Sequence, residues 1–163
     1  MANQLWLLRH GEAEPHDARP DDERRLTERG EDQARAAGRA LATLEITFQA
    51  IYTSPKVRAR DTALLACEPL GEEPIVTPVL AGGFSVQDAR DLLLGVEPDG
   101  RILVVGHNPD FEQVVTDLTG GRVDFKKGGL AGVRLEGSLG GTLLALLRPR
   151  EIDRIGGPSS SGR

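Results

Sequence analysis

Arg101-Ile102-Leu103-Val104-Val105-Gly106-His107-Asn108-Pro109 is the stretch on which the fold turns. Four consecutive apolar residues, three of them β-branched, read as a strand buried on both faces, the pattern of a parallel sheet covered by helices. The run stops at Gly106 and delivers His107 to the strand's carboxyl end. Asn108 then stands where it can cap a helix running to about Leu118.

The same grammar recurs upstream. Gln4 to Leu8 is apolar and breaks into Arg9-His10-Gly11, and Phe48 to Tyr52 reads as a strand followed by Ser54-Pro55. Ser at an N-cap and Pro at a first helical position predict a helix opening there. Between these strands, Glu12 to Arg25 is a polar loop with two prolines, and Glu28 to Leu44 carries alanines and leucines at helical spacing behind Thr27 as N-cap. Ile75-Val76-Thr77 is a weaker strand candidate, and Ser85-Val86-Gln87-Asp88 resembles a capping box ahead of Leu92-Leu93-Leu94. Ala131 to Leu135 and Thr142 to Leu147 flank the turn Glu136 to Gly141, which predicts a closing antiparallel hairpin. Strands alternating with helices imply an α/β three-layer sandwich on a mostly parallel central sheet. The expected organisation is a single catalytic domain over residues 1–155, with the Gly- and Ser-rich stretch 156–163 as a poorly ordered tail.

Composition excludes several classes. Hydrophobic residues are 39% and charged residues 28% of the 163-residue chain, ordinary for a globular protein, and no run approaches the ~20 apolar residues of a bilayer span. The first residues, MANQLWLLRHGE, lack a basic n-region and a secretory apolar core, so a cytoplasmic location is expected with no membrane partner. Cys67 is the single cysteine, and neither it nor the three histidines has metal-ligand spacing, so no disulfide, metal or cofactor is expected. The net charge of −5 disfavours nucleic acid as a partner, Lys126-Lys127 notwithstanding. There is no G-x-x-x-x-G-K-[ST] loop, no G-x-G-x-x-G, and the residue six after Cys67 is Glu73 where a cysteine phosphatase needs arginine.

His10, Ser54 to Arg58 and His107 all fall at strand carboxyl ends, the edge where open α/β sheets bind ligands. Arg9, His10, Arg58 and His107 together offer guanidinium forks and imidazoles suited to a phosphoryl group's oxygens. An imidazole, with an ordinary pKa of ~6.5, is also a competent nucleophile at neutral pH. One of the two histidines can attack while the arginines and the other stabilise charge on the transferring group.

At this point the residues resemble a known family. Leu8-Arg9-His10-Gly11-Glu12 is similar to the RHG signature of the histidine phosphatase superfamily, the phosphoglycerate-mutase-like enzymes. Arg24-Arg25-Leu26-Thr27-Glu28-Arg29-Gly30 resembles its R-x-L-T-x-x-G segment, Ser54 to Thr62 its S-P-x-x-R-A-x-x-T segment, and Gly106-His107-Asn108 its second-histidine segment. The short chain looks most like the small bacterial phosphohistidine phosphatases, the SixA-like branch. The resemblance implies a phosphoglycerate-mutase-like fold and a metal-independent phosphatase with His10 as the phosphorylated nucleophile. Arg9, Arg58 and His107 would form the phosphate pocket, and Arg24, Asn108 and Glu12 would contact substrate. Larger members carry a glutamate proton donor in the middle segment, whereas Val79-Leu80-Ala81-Gly82-Gly83 offers no carboxylate. An imidazole leaving group is easily protonated, which suits phosphohistidine on a partner protein.

Other readings stand beside these. Ser54 has a sufficient role as a helix cap and is assigned no chemistry, and Asn108 fits a cap and a ligand contact equally. His16 is expected in solvent, and Glu12, Asp61, Asp110 and Glu112 are each explained by helix dipoles while each could donate a proton. Trp6 and Phe125 read as core or rim aromatics, and Cys67 as a small buried hydrophobe. Hydrolysis of a small phosphomonoester, or mutase activity, with the same His10, and non-catalytic phosphate binding, remain the alternative functions.

Overall fold

A computed structural model describes residues 2–137 and 140–157. Its centre is a six-stranded sheet in the order β3-β2-β4-β1-β5-β6. The strands are β1 (Gln4–Arg9), β2 (Ala50–Thr53), β3 (Ile75–Val76), β4 (Arg101–Gly106), β5 (Leu130–Glu136) and β6 (Gly140–Leu147). The β1, β2, β3 and β4 pairings are parallel, whereas β5 joins β1 antiparallel and closes with β6 as a hairpin. This is the α/β three-layer architecture with a mostly parallel sheet that the sequence implies; two residues of the hairpin turn, 138–139, lie outside the described residues.

Alternation along the central strands builds both cores. Leu5, Leu7, Ile102 and Val104 face one layer, where they meet α3 (Val86–Leu93) and α4 (Asp110–Thr119) through Leu93, Phe111 and Val115. Trp6, Leu8, Leu103 and Val105 face the other, against α1 (Glu28–Thr43), α2 (Val57–Leu70) and α5 (Pro149–Gly156). Burial on both faces explains why β4 shows a continuous apolar run in place of alternation, each such side chain contributing about 1.5–3 kcal/mol. Trp6, Phe125 and Cys67 are all buried, and burial pushes the Cys67 thiol up to about 11.

Caps follow local chemistry. The Thr27 hydroxyl accepts from the Gly30 N–H, and Ser85 with Asp88 forms the reciprocal capping box. Elsewhere the boundaries differ from expectation. β2 starts at Ala50, and α2 starts at Val57 because Ser54 turns its hydroxyl to accept from Lys56 N while also meeting a histidine. Asn108 lies one residue ahead of the α4 N-cap position, which Pro109 occupies, yet its Oδ1 still accepts from Glu112 N. Helix α5 was not expected: it presents only Ile152 and Ile155 to the core, too few apolar positions to set a period. Its available signals were Pro149 in the first turn and Glu151, whose carboxylate accepts from Arg148 N. Gly156, expected to begin the tail, ends this helix against the α1 backbone, and residues 158–163, the rest of that stretch beyond Gly157, lie outside the described residues.

Gly11 and Gly30 press backbone to backbone, and a Cβ at Gly30 would collide with the Glu12 carbonyl. This contact seats the loop after β1 on α1. Gly30→Ala should therefore lower stability by about 1–3 kcal/mol, although helix propensity alone would raise it by about 1 kcal/mol. A denaturant midpoint that rises in the alanine variant would contradict the close approach.

Candidate active site

Because β2, β4 and β1 are neighbours, their carboxyl ends place Ser54, His107 and His10 side by side. The parallel ladder continues one step past the strands: His10 N donates to Gly106 O at 3.0 Å and Ser54 N to Val105 O at 3.0 Å. The two imidazoles consequently lie with centroids 5.2 Å apart and planes inclined at 56°. Both are buried.

His10 has a defined tautomer. Its Nδ1 lies 2.7 Å from Gly11 O, and a carbonyl only accepts, so Nδ1 carries the proton and Nε2 keeps its lone pair. Gly11 is held for this by Thr62, whose Oγ1 accepts from Gly11 N at 3.1 Å and donates to Arg58 O at 2.7 Å. His107 Nε2 is 2.9 Å from Ser54 Oγ. Burial drives the His10 pKa down to about 3, against the Gly11 bond that raises it, with His107, Arg58 and Arg9 pushing further down. Burial likewise lowers His107 to about 4, helped by Arg58 and Lys56. Two neutral imidazoles result, each with one nitrogen bonded and the other, Nε2 of His10 and Nδ1 of His107, without a partner among the described residues.

The cations around them are only partly satisfied. Arg9 Nη1 donates to Phe125 O at 2.7 Å, and Arg58 Nη1 donates to Asp21 O at 2.6 Å. Arg9 Nε, Arg58 Nε and His107 Nδ1 are buried without a partner, three of the five such side-chain atoms among the described residues. Orphaned buried donors are costly, and three of them fall on residues that line this crevice. Burial also lowers the pKa of Arg9 and Arg58, as expected for desolvated guanidiniums. Arg9, His10, Arg58 and His107 line one cavity of about 290 Å³.

Asp21, which lies outside every motif of the sequence, organises the far side. Its Oδ1 accepts from Arg24 at 3.2 Å, and its Oδ2 accepts from Arg58 at 3.2 Å and Lys56 at 3.3 Å. Partial burial would raise its pKa, but these three cations hold the carboxyl down at about 2. Asp21 sits in a turn beside Asp22 and Glu23, so nothing in the local pattern singles it out. Lys56 and Lys127 also line the cavity, and Lys56 stands two residues before Arg58 in the recognised segment.

The remaining expected contacts divide. Arg24 lines the cavity, but its fork is largely committed to Asp21 and to Glu14 O. Asn108 also lines it, with its amide donating to Glu112 Oε2 and Phe125 O. Glu12 departs from expectation: it is absent from the cavity lining and sits within 3.6 Å of Arg29 in a neighbouring groove. Its backbone explains the displacement, since Glu12 O accepts from Thr27 N and pins the loop to α1. His16 is exposed as expected, at the cavity mouth. Ala81, Gly82 and Gly83 form a wall without a carboxylate, whereas Asp110 does line the cavity, its Oδ2 accepting from Phe84 N at 3.2 Å. Glu112 is engaged with Asn108 and Phe125 N.

A two-histidine, two-arginine crevice at the carboxyl edge of a parallel sheet defines a phosphoryl-handling α/β protein. Residues 5–81 match the model of the histidine phosphatase superfamily (branch 1). An uncharacterised protein from Picosynechococcus sp. is 36% identical over 139 residues, covering 80% of this chain and 84% of that one. Among solved structures, the protein histidine phosphatase SixA complexed with tungstate superposes with a TM-score of 0.80 at 27% identity, covering 91% of this chain and 99% of that one. A phosphoserine phosphatase from Entamoeba histolytica shares the fold, with a TM-score of 0.72 at 16% identity over 91% of this chain and 98% of that one. The chain belongs to the histidine phosphatase superfamily, and that membership indicates a phosphatase, a hydrolase of phosphoryl groups. Among the described residues, no helix is long and apolar enough to cross a membrane.

The buried imidazoles make two linked predictions. Both histidines bind protons more weakly folded than unfolded, so stability is greatest above about pH 6.5 and falls as pH drops toward the folded values. NMR should find both rings neutral down to about pH 5. A midpoint near the ordinary value of 6.5 for either ring would contradict the desolvated site.

Proposed function

We propose that residues 1–155 act as one catalytic domain, a metal-independent phosphatase that removes phosphate from phosphohistidine on a cytoplasmic protein through a phosphohistidine intermediate on His10. The carrying observation is the His10 Nδ1 to Gly11 O bond, which leaves Nε2 open beside His107. In the first step the Nε2 lone pair forms a bond to phosphorus as the bond to the substrate's leaving imidazole breaks. The developing positive charge on His10 is met by Gly11 O through Nδ1–H. Arg9, Arg58 and His107 donate to the equatorial oxygens, where charge accumulates in a loose transition state. In the second step water attacks phosphorus, the N–P bond breaks with its electrons returning to Nε2, and the water's oxygen and protons leave with the phosphate.

An imidazole leaving group needs little help from an acid, consistent with the carboxylate-free wall at Ala81 to Gly83. Tungstate is a tetrahedral oxyanion, and its presence in the SixA complex supports an oxyanion pocket of this kind. One observation favours a second reading: Asp110 lines the cavity and could protonate an alkoxide, as hydrolysis of a small phosphomonoester would require. Arg24 and Asn108 then serve chiefly to hold the pocket's shape.

The test is a rapid-quench reaction of the protein with a domain carrying labelled phosphohistidine. Wild type should show transient acid-labile label on this chain followed by free phosphate, and His10→Ala should lose both, slowing turnover by at least about a thousandfold. Turnover preserved in His10→Ala would overturn the mechanism. Phosphoserine hydrolysed as fast as phosphohistidine in wild type, and slowed by Asp110→Asn, would establish the second reading. Ser54→Ala should cost about 1–3 kcal/mol of stability by leaving Lys56 N and His107 without their shared partner, read from the thermal midpoint.

A further inference from the structure

A second concavity, about 830 Å³ against about 290 Å³ for the catalytic cavity, opens beside it and shares Arg9, Ala13 and Lys127 with its lining. Its walls come from the loop after β1, the start of α1, the segment Asp124 to Lys127 ahead of β5, and the start of α5. The groove is nearly three times the volume of the catalytic cavity and is continuous with its mouth through the shared residues.

Its charge opposes that of the whole molecule. Six cationic side chains, Arg9, Arg29, Lys126, Lys127, Arg148 and Arg150, meet three carboxylates in the groove, in a chain whose net charge is −5. Four of the six cations have acidic partners: Arg29 meets Glu12 at 3.6 Å, Lys126 meets Asp124 at 2.9 Å, and Arg148 and Arg150 meet Glu151, at the groove's edge, at 2.7 and 4.0 Å, while Glu112 is engaged with Asn108 and the Phe125 amide; six cations against four carboxylates still leave the groove positive. Lys127 lines both spaces and forms no ion pair among the described residues. Arg29 and Arg150 are about three-quarters exposed, at 75% and 78%, so they can turn toward a partner without breaking the fold. A local positive field on an acidic protein steers and orients a partner of opposite sign more than it adds raw affinity.

We propose that this groove is the docking surface for the phosphorylated protein, and that it selects partners with an acidic face beside the phosphorylated histidine. The partner seats across α1 and α5, and its phosphohistidine passes Arg9 and Lys127 to reach His10. The proposal rests on the phosphohistidine reading above and adds to it where the rest of the substrate lies and what charge it carries.

The test compares wild type with Arg29→Glu/Arg150→Glu and with Lys126→Glu added. Arg134→Glu on β5, outside the groove, serves as control. Three substrates are used: an acidic and a basic protein, each phosphorylated on histidine with phosphoramidate, and p-nitrophenyl phosphate, which needs no docking. Groove variants should raise KM for the acidic phosphoprotein by about tenfold or more and make it less sensitive to salt. Their kcat/KM on p-nitrophenyl phosphate should stay within about twofold, and the control should match wild type throughout. Wild-type preference for the acidic protein over the basic one should vanish in the variants. Unchanged KM for the acidic phosphoprotein in the groove variants would overturn the docking surface alone. If wild type hydrolyses p-nitrophenyl phosphate but neither phosphoprotein, the substrate reading fails and the docking proposal with it.

Discussion

The register between β1 and β4 is the constraint on which the rest depends. Six consecutive pairs, from Gln4 with Arg101 to Arg9 with Gly106, run in parallel, and the His10 amide adds one more bond, to Gly106 O. Parallel strands end at the same edge, so each delivers its next residue to the same crevice. Slipping the pairing by one residue would turn the apolar set of one strand toward the wrong layer and separate the histidines. The burial of Leu5, Leu7, Ile102 and Val104 on one face and Trp6, Leu8, Leu103 and Val105 on the other makes that slip prohibitively costly. The geometry of the candidate site is thus a by-product of core packing.

Around that axis the site is assembled from groups the protein leaves incompletely satisfied. Arg9 and Arg58 each give part of their fork to backbone oxygens, on Phe125 and Asp21, which fixes the guanidinium planes while leaving each Nε unpaired. Asp21 holds Arg24, Arg58 and Lys56 near one another, offsetting repulsion among three cations before any anion arrives. Burial then keeps both imidazoles neutral. The unpaired donors and the desolvated imidazoles cost folding free energy, and a phosphoryl group would supply the missing acceptors, a preorganised arrangement of the kind that lowers barriers to charge development.

Much of this was legible in the chain, and the reason differs from part to part. The strands β1 and β4, the hairpin, α1 with its Thr27 cap and the Ser85 box are encoded locally, in runs and caps whose physics involves a few neighbouring residues. Helix α5 was not legible because its amphipathic face holds only Ile152 and Ile155 against the core. Glu12 was misplaced because its neighbourhood to His10 in sequence says nothing of the turn that Gly30 and Thr27 impose on its backbone. Ser54 looked like a simple cap, and the cap geometry moved to Lys56 once the hydroxyl had a histidine to meet.

By itself, then, the sequence determined that His10 and His107 stand at strand ends, that Arg9 and Arg58 accompany them, and that the sheet is buried on both faces, since periodicity and capping are properties of short segments. The tertiary structure decided which nitrogen of His10 is free, that Asp21 gathers the cations, that Asp110 reaches the cavity while Glu12 leaves it, and that six basic residues from distant segments border one groove. Those features depend on distances between residues far apart in the chain. Only the closed sheet, with its helices packed on it, sets those distances.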